Sequence, residues 1–91
     1  MKAKIVAIFP SDESPRYVFG LTAAHDYVVF SPMAGEPDFP FELDDLIKLE
    51  QISKNPAEAL NLTRNQTAMV RIHDVAVNKD IIRVRYDPQF P

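Results

Sequence analysis

At 91 residues, 46% apolar and 25% charged, the chain (residues 1–91) is a single small globular domain, too apolar to be disordered. It has no cysteine, which excludes disulfide staples, thiolate catalysis and cysteine metal sites, and fits a reducing, cytoplasmic location. The net charge of −3 argues against a dedicated nonspecific nucleic-acid binder. The longest apolar run, Ile5 to Phe9, falls far short of the roughly 20 residues of a membrane span and of a signal-peptide core, so no membrane partner is expected.

Ala3–Phe9 reads as a first strand, apolar on most of both faces. Pro10-Ser11-Asp12-Glu13-Ser14-Pro15 is a polar turn closed by proline at each end. Arg16–Thr22 is a second strand, with Tyr17, Phe19 and Leu21 on one face. The short connection Ala23–Asp26 leads to a third strand, Tyr27–Ser31, rich in β-branched and aromatic residues. Loops this short make the three an antiparallel meander. Pro32, Gly35, Pro37 and Pro40 mark one irregular connection from Ser31 to Phe41, because proline fixes φ and removes a ladder donor.

Leu43–Ile52 carries two periods. Leu43, Leu46 and Ile47 have helical spacing, with Asp44 and Asp45 suited to a first turn. Ile47, Leu49 and Gln51 alternate with Lys48 and Glu50, which favours a strand. Asn55-Pro56 has the form of an N-cap and first helical residue, and predicts one helical turn ending near Leu62. Thr67–Val77 and Ile81–Tyr86 read as the two strands of a hairpin. A three-residue connection, Asn78-Lys79-Asp80, puts Val70, Ile72, Ile82, Val84 and Tyr86 inside. It gathers Arg71, His73, Arg83 and Arg85 on the outer face. The expected fold is mainly β: a small antiparallel barrel of five to seven strands, OB-like, with at most one short helix.

Catalytic chemistry finds no foothold in these residues. His25 and His73 each precede an aspartate, but neighbours along a strand point to opposite faces, so neither pair forms a dyad. Gly20 and Gly35 are too far apart for a phosphate-cradling loop. The acidic stretch Glu36–Glu50 lacks the alternating ligands and central glycine of a calcium loop, and His73 has no partner at metal-ligand spacing. The chain is expected to be no enzyme and to carry no metal or cofactor. Charge is sorted along it: Glu36–Glu50 is acidic, Arg64–Arg85 basic.

The segments Ala3-Lys4-Ile5-Val6-Ala7-Ile8-Phe9, Arg16-Tyr17-Val18-Phe19-Gly20-Leu21 and Asp26-Tyr27-Val28-Val29-Phe30-Ser31 resemble the opening meander of cold-shock domains. Leu43–Glu50 and Ala59-Leu60-Asn61-Leu62 are similar to that family's fourth and fifth strands. The resemblance covers residues 3–63. It implies an oligonucleotide-binding (OB) barrel whose second and third strands bind single strands. The chain departs from the family at Ile8, where a stacking tryptophan stands, and has no histidine between the aromatics of Tyr27–Phe30.

Two functions follow. One is single-stranded DNA or RNA binding, with Tyr17, Phe19 and Tyr27 stacking on bases and Arg71, His73, Arg83 and Arg85 meeting phosphates. The other is a protein-interaction or assembly module without nucleic-acid binding. In that case, opposed acidic and basic patches and a small core favour self-association as a homodimer.

Overall fold

The computed structural model describes residues 1–10, 16–33, 39–53 and 55–91. The expected polar turn at 11–15 and the middle of the proline-rich connection at 34–38 lie outside these. Six strands run in chain order: β1 (Lys2–Phe9), β2 (Tyr17–Thr22), β3 (Tyr27–Pro32), β4 (Leu46–Leu49), β5 (Ala57–Asn61) and β6 (Gln66–Val77). One helix follows, α1 (Lys79–Arg85). The strands close into a barrel in the order β1-β2-β3-β6-β5-β4, every neighbouring pair antiparallel. The expected class, a small mainly β antiparallel barrel with one short helix, is the observed one. No helix among the described residues is long and apolar enough to cross a membrane.

The barrel interior holds Ala3, Ile5, Val18, Val28, Phe30, Phe41, Ile47, Leu49, Ala59, Ala68 and Val70. Strand alternation places them: Val18 and Gly20 from β2, Val28 and Phe30 from β3, Ile47 and Leu49 from β4. Gly20 is required by closeness. A Cβ there would lie 2.8 Å from the Cβ of Ala3 and 3.1 Å from Val28 Cγ1.

In β1 a bulge at Val6 resets the alternation, since Ile5 pairs with Gly20 and Ala7 with Phe19. Ile5 and Ile8 therefore face inward, while Val6 and Ala7 face outward. Phe9, which strict alternation sets with Ile5, is exposed.

Two expected elements are corrected. Ile81–Tyr86 is not a strand, because a local cap and an outer apolar face compete for it. The Oδ1 of Asn78 accepts from the Ile81 N–H at 3.0 Å, Asp80 lies in the first turn, and Arg83 and Arg85 lie in the last. Ile82 and Tyr86, four residues apart, share the helix face that packs on the sheet, and Val84 is left exposed. The basic hairpin face therefore does not exist.

The helical turn expected at 55–62 is β5 instead. Asn55 does not cap a helix: its amide side chain donates to the Ile72 carbonyl and accepts from the Ile72 N–H, both at 3.0 Å. That extends the ladder beyond the Ala57–Val70 pair. The ambiguous Leu43–Ile52 segment resolves to β4, after a turn in which Asp44 has φ 72°.

A second core lies outside the barrel. Phe19, Tyr27, Val29, Ile82 and Phe90 are buried together, with Tyr17, Leu21, Val77 and Tyr86 packed against them. α1 and the C-terminal residues thus cover the outer face of the β1–β3 meander, and β2 and β3 are buried on both sides.

Candidate functional site

The second core decides the fate of the seven expected site residues. Phe19 and Tyr27 are buried, with the ring of Phe90 at 5.4 and 5.3 Å from theirs. Neither presents an open stacking surface. Arg83 is half-buried and tethers the tail: its Nε donates to the Phe90 carbonyl at 2.8 Å, and its Nη1 lies 3.6 Å from Asp80. Tyr17, Arg71, His73 and Arg85 do come together, on the outer surface where β3 and β6 meet the end of α1.

A bulge builds that cluster. Val29 pairs with Asp74 and Phe30 with Ile72, so His73 is an extra residue in β6. His73 and Asp74 consequently both project outward, against the expectation that neighbours in a strand diverge. They still form no dyad. Asp74 accepts from the Tyr86 hydroxyl and pairs with Arg85. His73 Nε2 lies 2.7 Å from the Ser31 hydroxyl, and its ring sits edge-on to Tyr17 at 5.1 Å. Tyr17 in turn packs on Tyr86 at 5.0 Å. Arg71 is opposite Ser31 in the register.

Partial burial, aided by the charge of Arg71, pushes the His73 pKa down despite Asp74, which favours the neutral ring. Burial, then the hydrogen bond to Asp74 and its charge, pushes the Tyr86 hydroxyl well above the usual tyrosine range. The cluster clamps the end of α1 to β6, and Arg71 and His73 remain exposed residues.

A second surface escaped the sequence reading. Leu43, Leu46 and Leu62 are 59, 41 and 38% exposed. Leu46 and Leu62 are neighbours across the β4–β5 hairpin, where the Leu62 N–H donates to the Leu46 carbonyl at 2.8 Å. They lie out of phase with the inward Ile47, Leu49, Ala59 and Asn61. That phase was the available signal, once β5 is taken as a strand. Lys4 and Lys2 stand beside them, paired with Leu46 and Lys48.

The loop carrying Leu43 is fixed by a polar network. The buried Asp45 carboxylate accepts from Asn61 Nδ2 (2.8 Å), Arg64 Nε (2.8 Å) and the Glu42 N–H (3.1 Å). Asn61 also donates to the Pro40 carbonyl at 2.7 Å and accepts from the Arg64 N–H at 3.1 Å, and Arg64 pairs with Glu42. Burial raises the Asp45 pKa, but the hydrogen bonds from Asn61, Arg64 and Glu42 outweigh it and hold the carboxyl below its ordinary value. The Thr63 hydroxyl accepts from the Leu46 N–H at 2.9 Å, closing the frame.

Among the described residues no three histidine, aspartate or glutamate side chains are grouped to hold a metal. Compared with family models, curated proteins and solved structures, the chain matches none at a significant level.

Proposed function

We propose that this chain is a non-catalytic protein-docking module that meets its partner through Leu43, Leu46 and Leu62. One observation carries the proposal: Leu46 and Leu62, neighbours across β4–β5, and Leu43 in the preceding loop stand exposed, while the chain's own helix and tail seal the apolar face over β1–β3. Exposed apolar patches on a rigid base are the usual anchors of protein contact. Barrel closure occupies the strand edges, so contact through side chains is favoured over strand addition. The test places a photo-crosslinking residue at Leu46 or Leu62, with exposed Val84 as control, and identifies the captured protein. Affinity of that purified protein is then measured for the wild type and for Leu46→Lys with Leu62→Lys. Loss of about 2 kcal/mol or more, a thirtyfold change, is expected. Equal affinity of the two forms would remove this face from the function.

An oligonucleotide reading in the OB or cold-shock manner has its own support, the convergence of Tyr17, Arg71, His73 and Arg85. Fluorescence anisotropy with labelled single-stranded DNA and RNA tests it. Micromolar binding that persists at physiological salt and weakens in Arg71→Ala would move the function to that cluster.

A further inference from the structure

We propose that the groove between the β2–β3 turn and α1 is a binding site for a phosphoryl group. The groove, of about 570 Å³, is lined by Leu21, His25, Tyr27, Asn78, Lys79, Asp80 and Arg83. Its chemistry is one-sided. The His25 ring, the Tyr27 hydroxyl and the Lys79 ammonium have no hydrogen-bond or ion-pair partner among the described residues. Arg83 uses Nε on the Phe90 carbonyl and Nη1 on Asp80, which leaves Nη2 uncommitted. Two donor-only cations, Lys79 and Arg83, and two side chains able to donate, the His25 ring and the Tyr27 hydroxyl, thus line one cleft, against a single carboxylate already shared with Arg83.

An oxygen-rich anion satisfies such a set, and a tetrahedral phosphoryl group accepts from several directions at once. Leu21 and the Tyr27 ring add an apolar floor for whatever the phosphoryl group is attached to. α1 has only seven residues, so the donors are its side chains and not its dipole.

The turn that presents His25 is built for rigidity. The Thr22 N–H donates to the Asp26 carbonyl and the His25 N–H to the Thr22 carbonyl, each at 3.0 Å. The Thr22 hydroxyl accepts from the Ala24 N–H at 3.2 Å and donates to Asp26. His25 is held at φ 63°, a conformation that a histidine adopts at a cost and that places its ring on the groove.

The site is independent of the leucine face. The test follows amide shifts of the ¹⁵N-labelled full chain, at constant ionic strength, on addition of inorganic phosphate, of phosphoserine, and of a single-stranded DNA lacking a terminal phosphate. Saturable shifts confined to residues 23–27 and 78–83 are expected. They should weaken roughly tenfold in Lys79→Glu and in His25→Asn, one charge-assisted or groove-facing hydrogen bond each. Asparagine tolerates the positive φ, and unshifted resonances elsewhere verify the fold of each variant. Saturation by phosphate or phosphoserine assigns the site to a free phosphate or monoester. Saturation by DNA, with none by phosphate or phosphoserine, assigns it to a nucleic-acid backbone. Dispersed or unsaturable shifts with all three, or affinities unchanged in Lys79→Glu, would overturn the site. Leu46→Lys with Leu62→Lys should bind phosphate as the wild type does, which separates this result from the docking proposal.

Discussion

Phe90→Ala tests whether the C-terminal segment is part of the fold or a removable cover. The Phe90 ring is buried and makes two aromatic contacts, with Phe19 at 5.4 Å and Tyr27 at 5.3 Å. Burial of a phenylalanine contributes about 1.5–3 kcal/mol, and each aromatic pair about 0.5–1.5 kcal/mol more. Core Phe→Ala changes cost about 3–5 kcal/mol. Residues 86–91 lie outside any strand or helix, so the neighbours of Phe90 relax readily, which sets the expectation at the lower limit, about 3 kcal/mol. A domain of this size has roughly 5–14 kcal/mol in total. Urea unfolding should therefore show a clear fall in midpoint with little change in slope, and Tm should drop by roughly 12–24 °C. The near-ultraviolet circular dichroism of Tyr27 and Tyr86 should weaken in the folded baseline. A loss under about 1 kcal/mol, with unchanged tyrosine signals, would refute the reasoning. The segment would then be a loose cover, and Phe19 and Tyr27 would again be available for stacking.

Gly20→Ala should cost about 1–3 kcal/mol in the same unfolding assay, because Ala3 Cβ, 2.8 Å from the new methyl, is fixed to a backbone that cannot rotate away. A neutral Gly20→Ala would mean that β1 and β2 yield easily. The Asp45 carboxyl has its folded pKa below its unfolded value, so its stabilisation is complete above the unfolded pKa and is lost as pH falls through the folded one. Asp45→Asn should accordingly unfold with a flatter acid limb below about pH 4 than the wild type. Identical limbs would show that the network is not ionised in the native state. Ala76 is held at φ 58° near an irregularity in β6, and Ala76→Gly should stabilise by about 0.5–1 kcal/mol, read as a rise in Tm of roughly 2–8 °C. A fall in Tm would show that the Ala76 methyl contributes packing that outweighs the relief.

The mainly β class was legible in the chain itself. Period-two runs at Tyr17–Leu21, Ile47–Gln51 and Thr67–Val77 stand in four-residue to twelve-residue strands separated by turn formers, and local physics suffices for such strands. The closeness of Tyr17, Arg71 and His73 was legible only in part: Arg71 and His73 were singled out for a hairpin that does not form, and Tyr17 separately as a stacking residue of the meander. What the bulge at His73 added was Asp74, turned outward beside them, and no local signal marks a bulge in a strand of ordinary residues.

Ile81–Arg85 shows where sequence stops deciding. Its β-branched residues favour a strand, and its Asn78 cap and Asp80 favour a helix, each by amounts near 1 kcal/mol. Neither local preference prevails alone. The outer face of β1–β3 does, because Phe19, Tyr27 and Val29 need cover that a strand at this point cannot give. A helix sets Ile82 and Tyr86 on one side and carries the chain round to bring Phe90 down between Phe19 and Tyr27. Alternation and turn chemistry within the sequence by itself determined that the chain would be an antiparallel barrel. Only the tertiary structure decided which outer face is sealed and which is left exposed, because burial is a property of neighbours distant in the chain.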